Sequence, residues 1–184
     1  MPLYSKHDLE IYDENVHEMF FDSNCMNVSP SQLHKELPSK NSDQLSILNL
    51  NIRSFTKKFS LLLSMLKSCK NQFTLIVIAE TWLKDEHNGL FNIPGYDHIN
   101  INRKGSLTGG GIRIYISRSI KLISIDNELT GMYNSHESLC CELDIGNKTK
   151  EQLISIYRPP KGNINLFNEF VQNKVANSHF THFN

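Results

Sequence analysis

The feature that most constrains this 184-residue chain is a strand–helix–strand pattern compressed into residues 46–79. Ser46–Ile52 reads as a strand, and Ser54 stands where it can cap a helix running to about Lys70. Phe55, Phe59, Leu62, Leu63, Leu66 and Cys69 fall on one helical stripe, with Lys57, Lys58, Lys67 and Lys70 on the solvated face. Phe73–Ala79 is almost wholly apolar, the texture of a strand buried on both sides. A βαβ unit of this kind has parallel strands joined by a right-handed crossover. It commits the chain to an α/β class.

The pattern then changes. Tyr96–Asn102 and Gly111–Ser117 read as strands flanking the loop Arg103–Gly110. Ile112, Ile114 and Ile116 alternate with Arg113, Tyr115 and Ser117, which predicts a half-buried strand. Lys121–Ile125 is a further strand. Glu137–Asp144 and Gln152–Tyr157 form a hairpin around Gly146-Asn147-Lys148, ended by Pro159 and Pro160. Asn163 or Asn165 caps a last helix bearing Leu166, Phe167, Phe170 and Val171. A βαβ start feeding antiparallel strands predicts a mixed sheet in an α/β sandwich. A helix on such a sheet leads into another strand, so a body that stops at Asn184 is expected to be unfinished.

Residues 1–44 lack a sustained period and hold 3 basic and 8 acidic residues, with Pro30 and Pro38 as breakers. They read as a polar, acidic, poorly ordered leader. Residues 45–184, with 16 basic and 11 acidic residues, are the domain proper, and their basic balance suits a polyanionic partner. At 39% hydrophobic and 21% charged residues, the composition excludes collagen, coiled coil and a wholly disordered tail. The longest apolar run is Leu75–Ala79, far from the roughly 20 residues of a membrane helix. Lys6, His7, Asp8 and Glu10 stand where a signal peptide is apolar. No membrane association and an intracellular location, nuclear or cytoplasmic, are expected.

Several chemistries are excluded by spacing. Cys25, Cys69, Cys140 and Cys141 form no Cys-x-x-Cys pair and read as buried thiols, with Cys140 and Cys141 on opposite strand faces. The eight histidines make no His-Glu-x-x-His arrangement, and no Ser-His-Asp or Cys-His constellation is supported. His136 and Glu137, adjacent on a strand, diverge. Gly109-Gly110-Gly111 lacks the Gly-Lys-Ser/Thr sequel of a phosphate loop, and instead permits a sharp entry into the strand at Ile112.

Two places carry chemistry. Asn51 and Glu80 end the two parallel strands at their carboxyl edge, where open α/β sheets place ligands. An amide oxygen and a carboxylate there suit a hard divalent cation such as Mg²⁺. The plainer reading is that Asn51 caps the following turn and Glu80 is an exposed strand end. Tyr157-Arg158-Pro159-Pro160 closes another strand, where a phenol and a guanidinium can approach a phosphate. The alternative there is a core tyrosine and a surface arginine. Arg103 and Lys104, beside the glycines, are placed for a nucleic-acid backbone or simply for water.

In order, Leu48-Asn49-Leu50-Asn51-Ile52-Arg53-Ser54, Ala79-Glu80-Thr81-Trp82-Leu83, Ile93-Pro94-Gly95-Tyr96, Arg103 with Gly109-Gly110-Gly111, and Tyr157-Arg158-Pro159-Pro160 closely resemble the endonuclease domain of LINE-type (non-LTR) retrotransposons. That domain belongs to the endonuclease/exonuclease/phosphatase family, with the abasic-site endonucleases and pancreatic-type deoxyribonucleases. The match runs from about residue 44 to 172. The resemblance implies a four-layer α/β sandwich, here incomplete, and Mg²⁺- or Mn²⁺-dependent hydrolysis of a DNA phosphodiester, the nick that primes reverse transcription. It implies that Asn51 and Glu80 hold the metal and that Tyr157 contacts the scissile phosphate. Arg53, Arg103 and Arg158 become the expected DNA contacts. The family's later Gly-Asp-x-Asn and Ser-Asp-His segments are absent, so the resemblance describes a C-terminally truncated domain without its general base. The alternative is a non-catalytic nucleic-acid-binding or interaction remnant. A sibling phosphatase acting on sugar or lipid phosphates is the third reading.

Overall fold

The computed structural model of the chain describes residues 45–69, 73–103, 109–146 and 149–175. The expected leader, Cys25, Lys70, most of the loop between Arg103 and Gly110, Asn147, Lys148, His179 and His182 lie outside them. The elements are β1 (Ile47–Asn51), α1 (Phe55–Ser68), β2 (Leu75–Ala79), a 3₁₀ turn (Asp85–His87), β3 (Tyr96–Ile101), β4 (Ile112–Ser117), β5 (Lys121–Ile125), β6 (Gly131–Met132), β7 (Glu137–Gly146), β8 (Thr149–Tyr157) and α2 (Ile164–Phe170). A π-helical turn, Val171–Val175, follows α2.

The βαβ unit forms as its sequence requires. β1 lies parallel to β2, with Ile47 opposite Leu75 and Asn51 opposite Ala79. β4 runs antiparallel to both β2 and β3, giving the order β1-β2-β4-β3. The second sheet is antiparallel around β7, which takes β8 along one edge and β5 and β6 along the other.

Strand alternation sorts the core. Leu75 and Val77 of β2, Ile112, Ile114 and Ile116 of β4, and Leu139, Cys141 and Leu143 of β7 form one buried cluster between the sheets. Each such side chain contributes roughly 1.5–3 kcal/mol by leaving water. The other face of β7 puts Cys140 against Leu129 and Phe170, with Ile154, Ile156 and Val171 around them, so α2 covers the second sheet. On the outer face of the first sheet, Phe55 at the start of α1 packs against Phe91 and Tyr115. Cys140 and Cys141 are free thiols on opposite faces, as alternation predicts, and burial pushes both up to about 12.

Three expectations need correction. Ser54 does precede α1, but it sits at φ 70° and its side chain makes no capping bond. The Ser54 and Phe55 amides donate instead to the Glu80 and Thr81 carbonyls, at 3.1 and 2.9 Å. β4 is buried on both faces, not one. Arg113 and Tyr115, which read as solvent-facing, find polar partners inside: Arg113 donates to the Leu90 carbonyl at 2.9 Å, and both rings of Phe55 and Tyr115 lie 5.9 Å from its guanidinium. The two-residue strand β6 carries too little pattern to be read from sequence. Asn163 does cap α2, its side chain accepting from the Asn165 and Leu166 amides at 2.9 and 3.2 Å.

His136 and Glu137 diverge as expected, His136 outward and Glu137 inward. The His136 ring is buried, stacked on Tyr133 and tilted against Phe170 at 4.1 Å, with Nδ1 2.7 Å from the Ser135 hydroxyl and Nε2 unpartnered. Burial lowers its pKa, so the folded chain holds it neutral. Burial and then the Arg113 charge lower that of His98, against an opposing pull from Asp97. The unfolded chain takes up protons near the ordinary histidine value of about 6.5. The contribution of these rings is therefore complete above that value and is lost as pH falls from there towards the lowered folded value. Denaturant unfolding is expected to show lower stability at pH 5 than at pH 7.5, with a smaller difference in His136→Phe. An unchanged pH dependence in that variant would remove His136 from the account.

Candidate active site

β1 and β2 end side by side because they are parallel and in register, and neighbouring strands lie about 4.8 Å apart. Asn51 aligns with Ala79, the residue before Glu80. By alternation Asn51 shares the face of Ala79 and Val77, the face turned towards the second sheet. Asn51 is exposed there.

The backbone then leaves strand geometry at both ends. Arg53 and Ser54 after β1, and Glu80 and Trp82 after β2, have φ values of 44°, 70°, 57° and 57°. Such left-handed conformations cost non-glycine residues roughly 1–2 kcal/mol each, and their clustering marks a rim whose side chains are held in imposed directions. The local backbone bonds impose them. Thr81 and Trp82 donate to the Gly111 and Gly110 carbonyls at 3.2 and 2.9 Å, and Ile52 donates to the Ala79 carbonyl at 3.1 Å.

Glu80 is the centre of the resulting cluster. Its Oε2 accepts from the Gly110 amide at 3.1 Å and from the Trp82 indole N–H. Its Oε1 accepts from the Tyr157 hydroxyl. Tyr157 ends β8 opposite Glu137, on the inward face of the second sheet, so the two sheets meet at this carboxylate. Burial raises the Glu80 pKa, but the bonds from Tyr157, Trp82 and Gly110 and the charge of Arg103 outweigh it and hold the carboxyl below its usual range. Burial first, then the bond to and charge of Glu80, drive Tyr157 well above the ordinary phenol value. At neutral pH the pair is carboxylate and phenol, with the phenol donating.

An ionised carboxylate has about four acceptor positions, two per oxygen. Oε2 uses both, while Oε1 uses one. Among the described residues Glu80 therefore keeps a single free acceptor position, on Oε1, which fits one-oxygen ligation of a hard cation. Among the described residues, no group of three or more His, Cys, Asp or Glu side chains gathers that would hold a metal by itself. A cation here would take Glu80, the Asn51 amide oxygen and its own waters or a phosphate oxygen. That set is within the habit of Mg²⁺, which binds through one or two carboxylates and retains waters.

The three expected DNA-contacting arginines differ in state. Arg53 is exposed at the rim. Arg103 makes a two-pronged ion pair with Glu137, through Nε at 2.8 Å and Nη2 at 2.6 Å to Oε1. Arg158 turns its Nη1 to the carbonyls of Pro159 and Gly162, at 3.4 and 3.2 Å. Sequence reasoning missed Trp82 and Glu137 as parts of the cluster. Trp82 lies two residues after Glu80, where spacing alone assigns its indole no partner, and the distance of Glu137 from Arg103 along the chain leaves no local signal. Gly110 and Gly111 lead into β4, as expected, and they also supply amides to two carboxylates.

This fold is similar to that of solved structures. TDP2 from D. rerio, complexed with single strand DNA product, superposes with a TM-score of 0.51 at 17% identity, over 73% of this chain and 55% of that one. AP endonuclease LMAP from Leishmania major gives a TM-score of 0.49 at 15% identity, over 68% of this chain and 44% of that one. TDP2 from Caenorhabditis elegans gives 0.48 at 15% identity, over 72% and 42%. The chain thus spans about half the length of the structures it matches. No family model matches the sequence, and no curated protein matches it. The two sheets match the endonuclease/exonuclease/phosphatase, deoxyribonuclease I-like fold in part, over about 70% of the chain. Among the described residues no helix is long and apolar enough to cross a membrane.

Proposed function

We propose that this chain carries the metal- and phosphate-holding part of a Mg²⁺-dependent DNA endonuclease of the LINE retrotransposon type. The observation that carries the reading is the Glu80 carboxylate, ionised and fixed by Tyr157, Trp82 and Gly110, with one acceptor position left among the described residues and with β1 ending at Asn51 opposite Ala79, the residue before it. Mg²⁺, or Mn²⁺ in its place, neutralises charge on the phosphoryl oxygens and the leaving group when bound. Glu80 and Asn51 would hold it. The Tyr157 phenol, kept protonated, can turn its proton to a phosphoryl oxygen. Arg53, and Arg103 and Arg158 if released from their present partners, would hold the backbone on either side. Hydrolysis consumes one water, breaks one P–O bond and leaves a phosphate and a hydroxyl, the latter the primer end in a retroelement. This site would act inside a cell, in nucleus or cytoplasm.

One observation favours a second reading, a non-catalytic nucleic-acid-binding module. The sequence has no Gly-Asp-x-Asn or Ser-Asp-His segment. Among the described residues the three histidines are engaged elsewhere: His87 with the Lys84 amide, His98 on Tyr115, and His136 under α2. With the described histidines engaged in this way, nicking by this chain alone is expected to stay near background.

Supercoiled plasmid separates these readings. The endonuclease-type site predicts DNA retention that needs Mg²⁺, falls steeply with salt, and is lost in Glu80→Ala. Nicking above the Glu80→Ala background would assign the full reaction to this chain. Retention equal in both proteins and indifferent to Mg²⁺ would favour the binding module. Phosphate release from a soluble phosphomonoester, without DNA retention, would contradict both.

A further inference from the structure

Beneath the rim lies a second carboxylate that the mechanism above does not use. Glu137, at the start of β7, is 2% exposed, and both its oxygens are taken. Oε2 accepts from the Gly111 amide at 2.6 Å, and Oε1 from Arg103 at 2.8 and 2.6 Å. Gly110, the residue before, gives its amide to Glu80 at 3.1 Å. Two adjacent amides of one glycine strap thus serve two carboxylates. The strap has no slack: Gly109, Gly110 and Gly111 have φ values of 94°, 72° and 86°. A Cβ on Gly110 would lie 2.1 Å from Glu137 Oε1, and one on Gly111 would lie 2.4 Å from Thr81 Oγ1. The strap is also tied to the residues after Glu80 through the Thr81 and Trp82 amides.

We propose that Glu137 is a positioning residue for Glu80: it anchors Gly111 and Arg103, so that the Gly110 amide and the Trp82 indole occupy Glu80 Oε2 and a cation takes the position on Oε1 that Tyr157 does not use. The proposal rests on the reading of Glu80 as a metal ligand and extends it to a residue that touches neither metal nor substrate. Arg103 keeps the buried charge of Glu137 neutralised, and its Nη1 lies on the Glu80 side of the strap, 3.9 Å from where a Gly109 Cβ would stand. Tyr157 is also the partner of Glu137 across the β7–β8 ladder. Outer partners that orient a metal ligand typically change metal affinity 10–100-fold when removed.

The test uses Glu137→Gln, which keeps shape and can still accept one bond, but must face a second donor with its own N–H₂. Trp82 is the one tryptophan of the chain, so its indole N–H gives a single, unambiguous nitrogen–proton resonance that reports the bond to Glu80 without any metal. In Glu137→Gln that resonance is expected to move from the wild-type position towards that of Glu80→Gln, and Mn²⁺ binding is expected to weaken about tenfold or more. Glu142→Gln serves as the control for charge loss on the same strand, because among the described residues Glu142 pairs with Lys150 and Ser124 at the surface. An indole resonance unmoved in a folded Glu137→Gln protein would overturn the proposal, whether or not the wild type binds Mn²⁺. Absence of Mn²⁺ binding by the wild type, with the indole shift still present, would leave Glu137 as the organiser of Glu80 and overturn the metal reading alone.

Discussion

Replacing Phe55 by alanine is expected to cost about 3–5 kcal/mol of unfolding free energy, the range for truncating a fully buried aromatic. The ring is inaccessible to solvent and meets Phe59 and Phe91 edge-on at 5.3 and 5.7 Å, and Tyr115 at 6.2 Å. It also covers the Arg113 guanidinium, which is equally buried and whose Nε has no partner among the described residues. Removing the ring leaves a cavity and takes one aromatic face from that cation, a contact of about 0.5–2 kcal/mol in its own right. The consequence reaches the rim, because Phe55 opens α1 and its amide is bonded to the Thr81 carbonyl, one residue beyond Glu80. Phe59→Ala, at a half-buried position of the same stripe, is expected to cost less. Denaturant midpoints at constant slope decide it. A loss under about 1 kcal/mol for Phe55→Ala would mean that α1 is not seated as described.

How far the sequence reveals this arrangement depends on the range of the contacts involved. The βαβ unit is legible because its signals are local: an apolar run, a helical stripe and strand-ending polar residues within one stretch. It places Asn51 and Glu80 at neighbouring strand ends with no further information. Tyr157 is legible as a strand end, but its bond to Glu80 spans the two sheets and 77 positions of sequence. Arg113 and Tyr115 mislead because residue type suggests water, whereas the partners that bury them, Phe55 and the Leu90–Phe91 backbone, come from elsewhere in the chain. Glu137 is invisible for the same reason, being joined to Arg103 across 34 positions. Ser54 shows a different limit. The residue suits an N-cap, yet the left-handed turn into α1 directs its backbone, rather than its hydroxyl, to the neighbouring strand end.

The second large effect expected is on metal affinity. Mn²⁺ shares the preference of Mg²⁺ for oxygen ligands in octahedral sites, and as a paramagnetic ion it quenches a nearby indole. Trp82 is 42% exposed and bonded to Glu80, so its emission is placed to report occupation of the rim. Glu80→Gln keeps the size of the side chain but removes the charge, and with Glu80 the lone carboxylate proposed as a ligand, affinity is expected to fall by well over tenfold. Asn51→Ala removes a neutral ligand and is expected to have a smaller effect in the same direction. The most direct measurement is a Mn²⁺ titration of Trp82 emission in the wild type and in Glu80→Gln, each repeated with competing Mg²⁺. A saturable quench in the wild type that Mg²⁺ reverses and Glu80→Gln abolishes is the predicted result. The same curve in both proteins would contradict a cation site at the ends of β1 and β2.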